Sequence, residues 1–164
     1  MRILAATGHR PDKLGGYSPQ ARGRLTDFVT LQVAADPPDR AISGMAQGFD
    51  TAFALACLSL GIPLIAAVPF RAQPVPWPFP ARNLYESILS RCFSVMILNE
   101  NPLTDGHARL AMHLRNKWMV DNSNDIVALW NGSPGGTKSC IEYAEASDRV
   151  YGNLWPKWVT WRRQ

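Results

Sequence analysis

The stretch MHLRNKWMVDNSNDIVALWNGSPGGTKSCIEYA, residues 112–144, carries the strongest architectural signal in the chain. Within it, residues 125–130 (DIVALW) form a short apolar run between polar flanks, the pattern of a strand buried on both faces of a parallel sheet. Glycines and a proline break the chain over 131–137 (NGSPGGT), and helical spacing resumes over 137–147. A strand, a glycine-rich turn and a helix start leave free backbone N–H groups at the positive end of a helix dipole, which is a place to hold an anion. The preceding residues, 108–122, are spaced as a helix. Leu110, Leu114, Trp118 and Asp121 share one face, and Met112, Arg115, Met119 and Asn122 share another. His113, Asn116 and Asp121 are further polar candidates on this helix, although a solvated face explains most such residues.

Similar units recur upstream. Residues 2–6 (RILAA) read as a strand that ends in Thr7-Gly8-His9-Arg10-Pro11, where glycine permits a tight turn and proline stops the strand. Thr7, Gly8, His9 and Arg10 then lie at the carboxyl edge, where open α/β sheets bind ligands. The planar fork of Arg10 suits a phosphate or carboxylate, against the alternative of a solvated or structural arginine. For His9 a loop hydrogen bond is favoured over catalysis. Ser18 caps a helix over 20–35 with Pro19 at its first position, and Asp36-Pro37-Pro38 ends it. Residues 40–43 (RAIS) form a second strand, followed by the turn Gly44 to Gly48 and an alanine-rich helix over 49–60 closed by Gly61. Ser43, Gly44 and Gly48 thus frame a second turn of the anion-holding kind. Asp50, in the first helical turn, either complements the dipole or contacts the ligand.

A third strand covers 64–68 (LIAAV). The loop over 69–80 contains five prolines, which predicts a stiff, extended segment carrying Phe70, Trp77 and Phe79. An aromatic lid over a nucleobase, made by Phe70 or Trp77, competes with simple packing over the sheet end. A helix over 82–91, a strand over 94–98, a polar turn region over 99–106 and a last short strand over 149–154 complete the pattern. The tail, residues 155–164, has tryptophans three residues apart; they pack against the domain or offer a face to a second subunit.

At 164 residues, with 46% hydrophobic and 18% charged side chains, the chain is long enough for one domain with a substantial core, spanning 1–164. The net charge of +4 is spread out, without a dense Lys/Arg run or zinc-finger spacing, so composition favours a phosphate-bearing small partner over nucleic acid. Cys57, Cys92 and Cys140 are far apart, without metal-ligand spacing, and read as apolar core residues in a reducing compartment. No metal or cofactor is implied. No signal-peptide pattern or membrane-length apolar run is present, and a cytoplasmic location is expected.

Strands alternate with helices throughout, which predicts an α/β domain of Rossmann-like plan, with a mostly parallel sheet and helices on both faces. Five motifs add to this: TGHRPDKL at 7–14, SGMAQGFD at 43–50, PFRAQ with WP in the proline loop, RNKWMVD at 115–121 and LWNGSPGGT at 129–137. Together they resemble the YpsA-related branch of the SLOG superfamily over nearly the whole chain. The superfamily includes LOG phosphoribohydrolases and DprA-type DNA-binding proteins, so the resemblance implies a nucleotide or nucleotide-derived ligand, such as an ADP-ribose-type signal. LOG enzymes carry an MHxRK motif and a PGGxGTxxE motif. Met112-His113-Leu114-Arg115-Asn116 resembles the first, placing Arg115 at the LOG arginine, with Asn116 beside it. Pro134-Gly135-Gly136-Thr137 resembles a shortened second motif, which assigns phosphate binding to Gly135, Gly136 and Thr137. Where LOG enzymes keep a glutamate stands Cys140, and Glu142 comes two residues later. A two-residue shift turns a helical side chain by roughly 200°, so Glu142 is expected to point elsewhere. An N-glycosidase built on this chain would have to recruit Asp50, Glu86 or Asp121. The resemblance leaves ligand binding, hydrolysis and DprA-like nucleic-acid binding open, with Arg115 and Asp121 as candidate catalytic residues for hydrolysis. A homo-oligomer is a further expectation from the tail and the family.

Overall fold

A computed structural model describes residues 1–100 and 105–164, leaving aside the side chains of residues 105 and 106. Among the described residues the strands are β1 (Ile3–Gly8), β2 (Arg40–Ser43), β3 (Leu64–Val68), β4 (Ser94–Ile97), β5 (Asp125–Leu129) and β6 (Val150–Asn153). They form one sheet in the order β4-β3-β2-β1-β5-β6, and every pairing is parallel. The helices are α1 (Pro19–Ala35), α2 (Phe49–Ser59), α3 (Phe79–Arg91), α4 (Asp105–Asp121), α5 (Gly136–Ala146) and α6 (Trp155–Trp161). The expected Rossmann-like α/β plan is therefore what the chain adopts. Of the predicted polar turn over 99–106, residues 101–104 lie outside the described residues, and α4 already begins at Asp105.

Local chemistry explains the element ends. Ser18 Oγ accepts from the Ala21 N–H at 3.1 Å while Pro19 occupies the first turn of α1, where a missing N–H costs nothing. α2 is apolar on nearly every side and is buried between α1 and the sheet. One core lies beneath α1, α2, α3 and Trp158 of α6; the other lies beneath α4 and α5. The strand order reverses direction between β1 and β5, because the chain winds outward from β1 to β4 and then returns to β1's other side. That switch point opens a crevice at the carboxyl ends of β1 and β5.

One expectation needs correction, and the orientation of one helix is settled. The proline loop is not extended: Gln73, Val75 and Trp77 donate backbone N–H groups to Phe70, Ala72 and Pro74, folding it into successive tight turns, and α3 starts at Phe79 with Pro80 in its first turn. Proline forbids helix interiors but tolerates both settings. On α4, the Leu110 and Leu114 side chains are 55% and 51% exposed, while Ala111, Arg115, Met119 and Val120 are buried. The helix is rolled so that its cation, rather than its leucines, faces inward.

Candidate functional site

The crevice at the switch point is a polar cleft of about 260 Å³. Its floor is the end of β1, with Thr7, Gly8, His9 and Arg10; one wall is Met112, Arg115 and Asn116 of α4; the other is the turn from Ser133 to Thr137. Asp50 and Ala46 close the back, and Asp12 and Lys13, in the short helical turn Pro11–Lys13, stand at the mouth.

Glycines permit the close approaches. Gly8 lies against Phe49, where a Cβ would come within 2.5 Å of the ring. Gly48 has φ of 92° and packs its Cα on the backbone of His9 and Arg10, two conditions that no side-chain-bearing residue meets comfortably. Gly135, with φ of 144°, caps α5, so the first-turn N–H groups of Gly136, Thr137 and Lys138 point out of the helix without intrahelical acceptors. Their dipole end meets the cleft.

The charged centre is Asp50 with Arg115, which are 6% and 5% exposed. The Arg115 guanidinium donates through Nη1 to the Gly44 carbonyl and through Nε to Asn116 Oδ1 at 2.9 Å. Asp50 Oδ2 accepts from the Ala46 N–H at 3.3 Å. Ser43 Oγ holds the start of α2 by donating to the Asp50 carbonyl at 2.9 Å and accepting from Met45 N–H. Burial pushes the Asp50 carboxyl above its ordinary range, opposed by Arg115, the Ala46 N–H and Arg10. Burial pulls Arg115 down, opposed by Asp50, yet a guanidinium keeps its charge in proteins. Two buried opposite charges facing one cleft form a poised pair, held by backbone groups rather than by direct contact.

Other side chains hold the walls. His9 Nε2 lies 3.0 Å from the Asn131 backbone nitrogen, and the ring's tautomer decides whether it accepts from that N–H or donates to the Asn131 side chain. Asn131 Oδ1 lies 2.9 Å from the same nitrogen and accepts from the Ser133 N–H. Burial lowers the His9 pKa, so the ring rests neutral and acts as a strut for the glycine turn. Lys13 Nζ reaches across the mouth to Ser133 Oγ at 2.8 Å. Arg10 is exposed, and its Nη2 lies 3.9 Å from Met112 Sδ.

The structure thus brings Thr7, Gly8, Arg10, Asp50, Arg115, Asn116, Gly135, Gly136 and Thr137 to one cleft. Ser43, Gly44 and Gly48 sit just behind it as supports. Asp121 does not line the cleft; its carboxylate accepts from Tyr143 OH at 3.0 Å on the outer surface. Glu86 does not line it either, and Glu142 is exposed and pairs with Lys138 at 3.6 Å, as the helical rotation predicted. Cys140, in the glutamate's place, is buried, and burial pushes its thiol up to about 11. Trp77 lines a separate apolar pocket with Tyr85, and Phe70 lines neither. Sequence reasoning missed Lys13, Ser133 and Gln73. Gln73 is buried, donates to the Gly44 carbonyl at 3.1 Å and accepts from Tyr85 OH at 3.1 Å. Its only sequence signal is its place in the PFRAQ motif. Among the described residues no group of three His, Cys, Asp or Glu side chains is placed to hold a metal, and no helix is long and apolar enough to cross a membrane.

Comparison with known proteins places the chain. No family model matches it. The uncharacterized SPbeta prophage-derived protein YoqJ of Bacillus subtilis (strain 168) is 31% identical over 139 residues, 76% of this chain and 80% of YoqJ. The chain belongs to the YoqJ family. The fold also matches solved structures. DNA processing protein A (DprA) of Streptococcus pneumoniae is similar with a TM-score of 0.65 at 20% identity, covering 93% of this chain and 50% of DprA. The Helicobacter pylori DprA, described for its single-stranded DNA binding mode, gives 0.59 at 15% identity over 93% of this chain and 64% of that one. TM1055, a structural genomics target, gives 0.59 at 13% identity over 92% of this chain and 72% of its own. The chain spans only half to two thirds of the DprA proteins, and what it shares with them is the fold.

Proposed function

We propose that residues 1–164 act as one nucleotide-binding domain whose ligand is a nucleotide or a nucleotide-derived signal, such as an ADP-ribose derivative. The observation that carries this reading is the coincidence, in one cleft at the switch point, of the α5 N-terminus with Arg10, Lys13 and Arg115. Helix N-H groups and guanidinium forks suit phosphate oxygens, and the Asp50 carboxyl beside them suits sugar hydroxyls. Phosphate is assigned to Gly135, Gly136 and Thr137, and ribose to Thr7, Asp50 and Asn116. Calorimetric titration with a panel of nucleoside mono- and diphosphates, ADP-ribose and a short single strand tests it. Micromolar binding by one small member is expected; binding weaker than millimolar by all of them defeats the reading. Including the strand keeps DprA-like nucleic-acid binding in view, because the H. pylori neighbour is described for that activity.

A second reading is favoured by one feature. Asp50 is the buried carboxyl of the cleft, with its pKa raised and a guanidinium nearby. A carboxyl whose pKa is raised holds a proton more readily and can exchange it with an attacking water or a departing base. Cleavage of the N-glycosidic bond of a nucleoside monophosphate would then use Asp50 as acid and base and Arg115 to orient the phosphate or sugar. Release of free base from nucleoside monophosphates, lost in Asp50→Asn, is the expected outcome; intact substrates after prolonged incubation leave binding alone.

A further inference from the structure

Behind the cleft, a chain of polar groups crosses the core from α3 to Arg115. Tyr85 OH donates to Gln73 Oε1 at 3.1 Å, Gln73 Nε2 donates to the Gly44 carbonyl at 3.1 Å, and the same carbonyl accepts from Arg115 Nη1. All three side chains are buried, and neither Tyr85 nor Gln73 lines the cleft. A carbonyl can only accept, so the Gln73 amide has to present its nitrogen to Gly44 and its oxygen to Tyr85. Tyr85 is in turn held edge-on against Trp77, with ring centroids 5.4 Å apart at 83°.

The acceptor in the middle of this chain belongs to a strained peptide. Met45 is a buried, non-glycine residue with φ of 64°, in the left-handed region that side-chain-bearing residues seldom adopt. Turning the 44–45 peptide over would return Met45 to negative φ, because a peptide plane rotates through its two flanking torsions. The same turn would carry the Gly44 carbonyl away from Arg115 and the Met45 N–H away from Ser43 Oγ, which accepts from it at 3.2 Å. The left-handed Met45 and the aim of the Gly44 carbonyl are one torsional choice.

Such strain persists only where the surroundings over-determine it. Ser43 holds the N–H side of the peptide, and Gln73 and Arg115 hold the carbonyl side. Arg115 is itself the group being placed: its guanidinium stands where the Gly44 carbonyl and Asn116 Oδ1, at 2.9 Å, accept from it. Gln73 is the neutral donor that fixes the carbonyl independently of the cleft's charges, and its own far end is tied to Tyr85.

We propose that Gln73, anchored by Tyr85, is a positioning residue for the cleft. It holds the Gly44–Met45 peptide in its strained orientation, and through that carbonyl it fixes the plane of Arg115. The PFRAQ segment thereby acts on the cleft from the α3 side of the sheet. Its effect on ligand affinity rests on the reading of the cleft as the nucleotide site; its effect on Arg115 does not.

The test follows the Arg115 Nε–H resonance of the ¹⁵N-labelled full chain without ligand, assigned through its side-chain carbons. A folded-state shift reports the local geometry of the guanidinium, which a change in overall stability does not move. Gln73→Met keeps the side chain's length and removes its polar groups; Tyr85→Phe keeps the ring on Trp77 and removes only the hydroxyl. The resonance should move in Gln73→Met and move less, in the same direction, in Tyr85→Phe. Affinity for ADP-ribose, read by calorimetry, should fall about tenfold in Gln73→Met, the scale of one misplaced charged hydrogen bond. A resonance that keeps its parental position in both variants shows that the chain merely satisfies buried polar groups, and overturns the proposal. Should Gln73→Met fail to fold, Tyr85→Phe decides by the same reading. A parent chain that binds no ADP-ribose counts against the ligand reading alone, while the resonance still decides the positioning.

Discussion

Asp50 and Arg115 both close on the Cα of Gly44, where an added methyl would stand 2.9 Å from Asp50 Oδ2 and 2.6 Å from Arg115 Nη1. Gly44 is thus the spacer of the buried pair, and its carbonyl is also the acceptor for Arg115 and Gln73. No turn requirement of residue 44 is involved, only space.

Gly44→Ala should therefore push the pair apart. Overpacking of this kind costs about 1–3 kcal/mol, and ligand affinity should fall at least about tenfold, which corresponds to about 1.4 kcal/mol. Thermal unfolding and calorimetry on the variant check both. Unchanged affinity with unchanged stability would mean that the pair tolerates displacement.

Burial raises the Asp50 pKa above its ordinary value of 3.8. The folded state then holds the proton more tightly than the unfolded chain, so the stabilising contribution is complete below about 3.8 and is lost as pH rises through the raised folded value. Asp50→Asn keeps the neutral form at every pH. Its unfolding temperature should exceed the parent's at pH 8, and the two should converge by pH 4. A variant less stable than the parent across the whole range would reverse the sign.

Arg10 is exposed and braces nothing by an ion pair among the described residues. Arg10→Gln should leave the unfolding temperature in place, within about 0.5 kcal/mol. Ligand affinity should nevertheless drop roughly tenfold or more, the worth of a charged hydrogen bond. The loss should shrink as salt is added, because the charge is open to screening. Calorimetry at two ionic strengths reads this; lowered stability with intact affinity would make Arg10 a structural residue.

The three thiols should be inert in the folded protein. Burial pushes Cys57 up to about 12, and Cys92 and Cys140 up to about 11. Because the thiolate is the reactive form, a thiol reagent at pH 8 should label the native chain slowly and all three sites rapidly after denaturation. Mass spectrometry after timed quenching identifies the sites, and fast native labelling of Cys140 would place it within reach of solvent.

By itself the sequence determined the order and nearly the limits of the strands and helices. Apolar runs such as LIAAV, the Ser18-Pro19 start and the glycine after α2 act over a few residues, and their physics is complete within that span. It also announced the cleft's glycines through motifs at the strand ends, and Arg115 through a motif on α4. Only the tertiary structure decided the roll of α4, which turns Arg115 inward and Leu110 and Leu114 outward, because that roll depends on contacts with α5 and β3 rather than on the helix's own pattern. The same holds for the carboxylates: Asp50, Glu86 and Asp121 are alike as letters. Packing alone buries Asp50 beside Arg115 and leaves Asp121 on the surface with Tyr143. Distances between residues remote in sequence are set by the parallel crossovers, and no local signal encodes them.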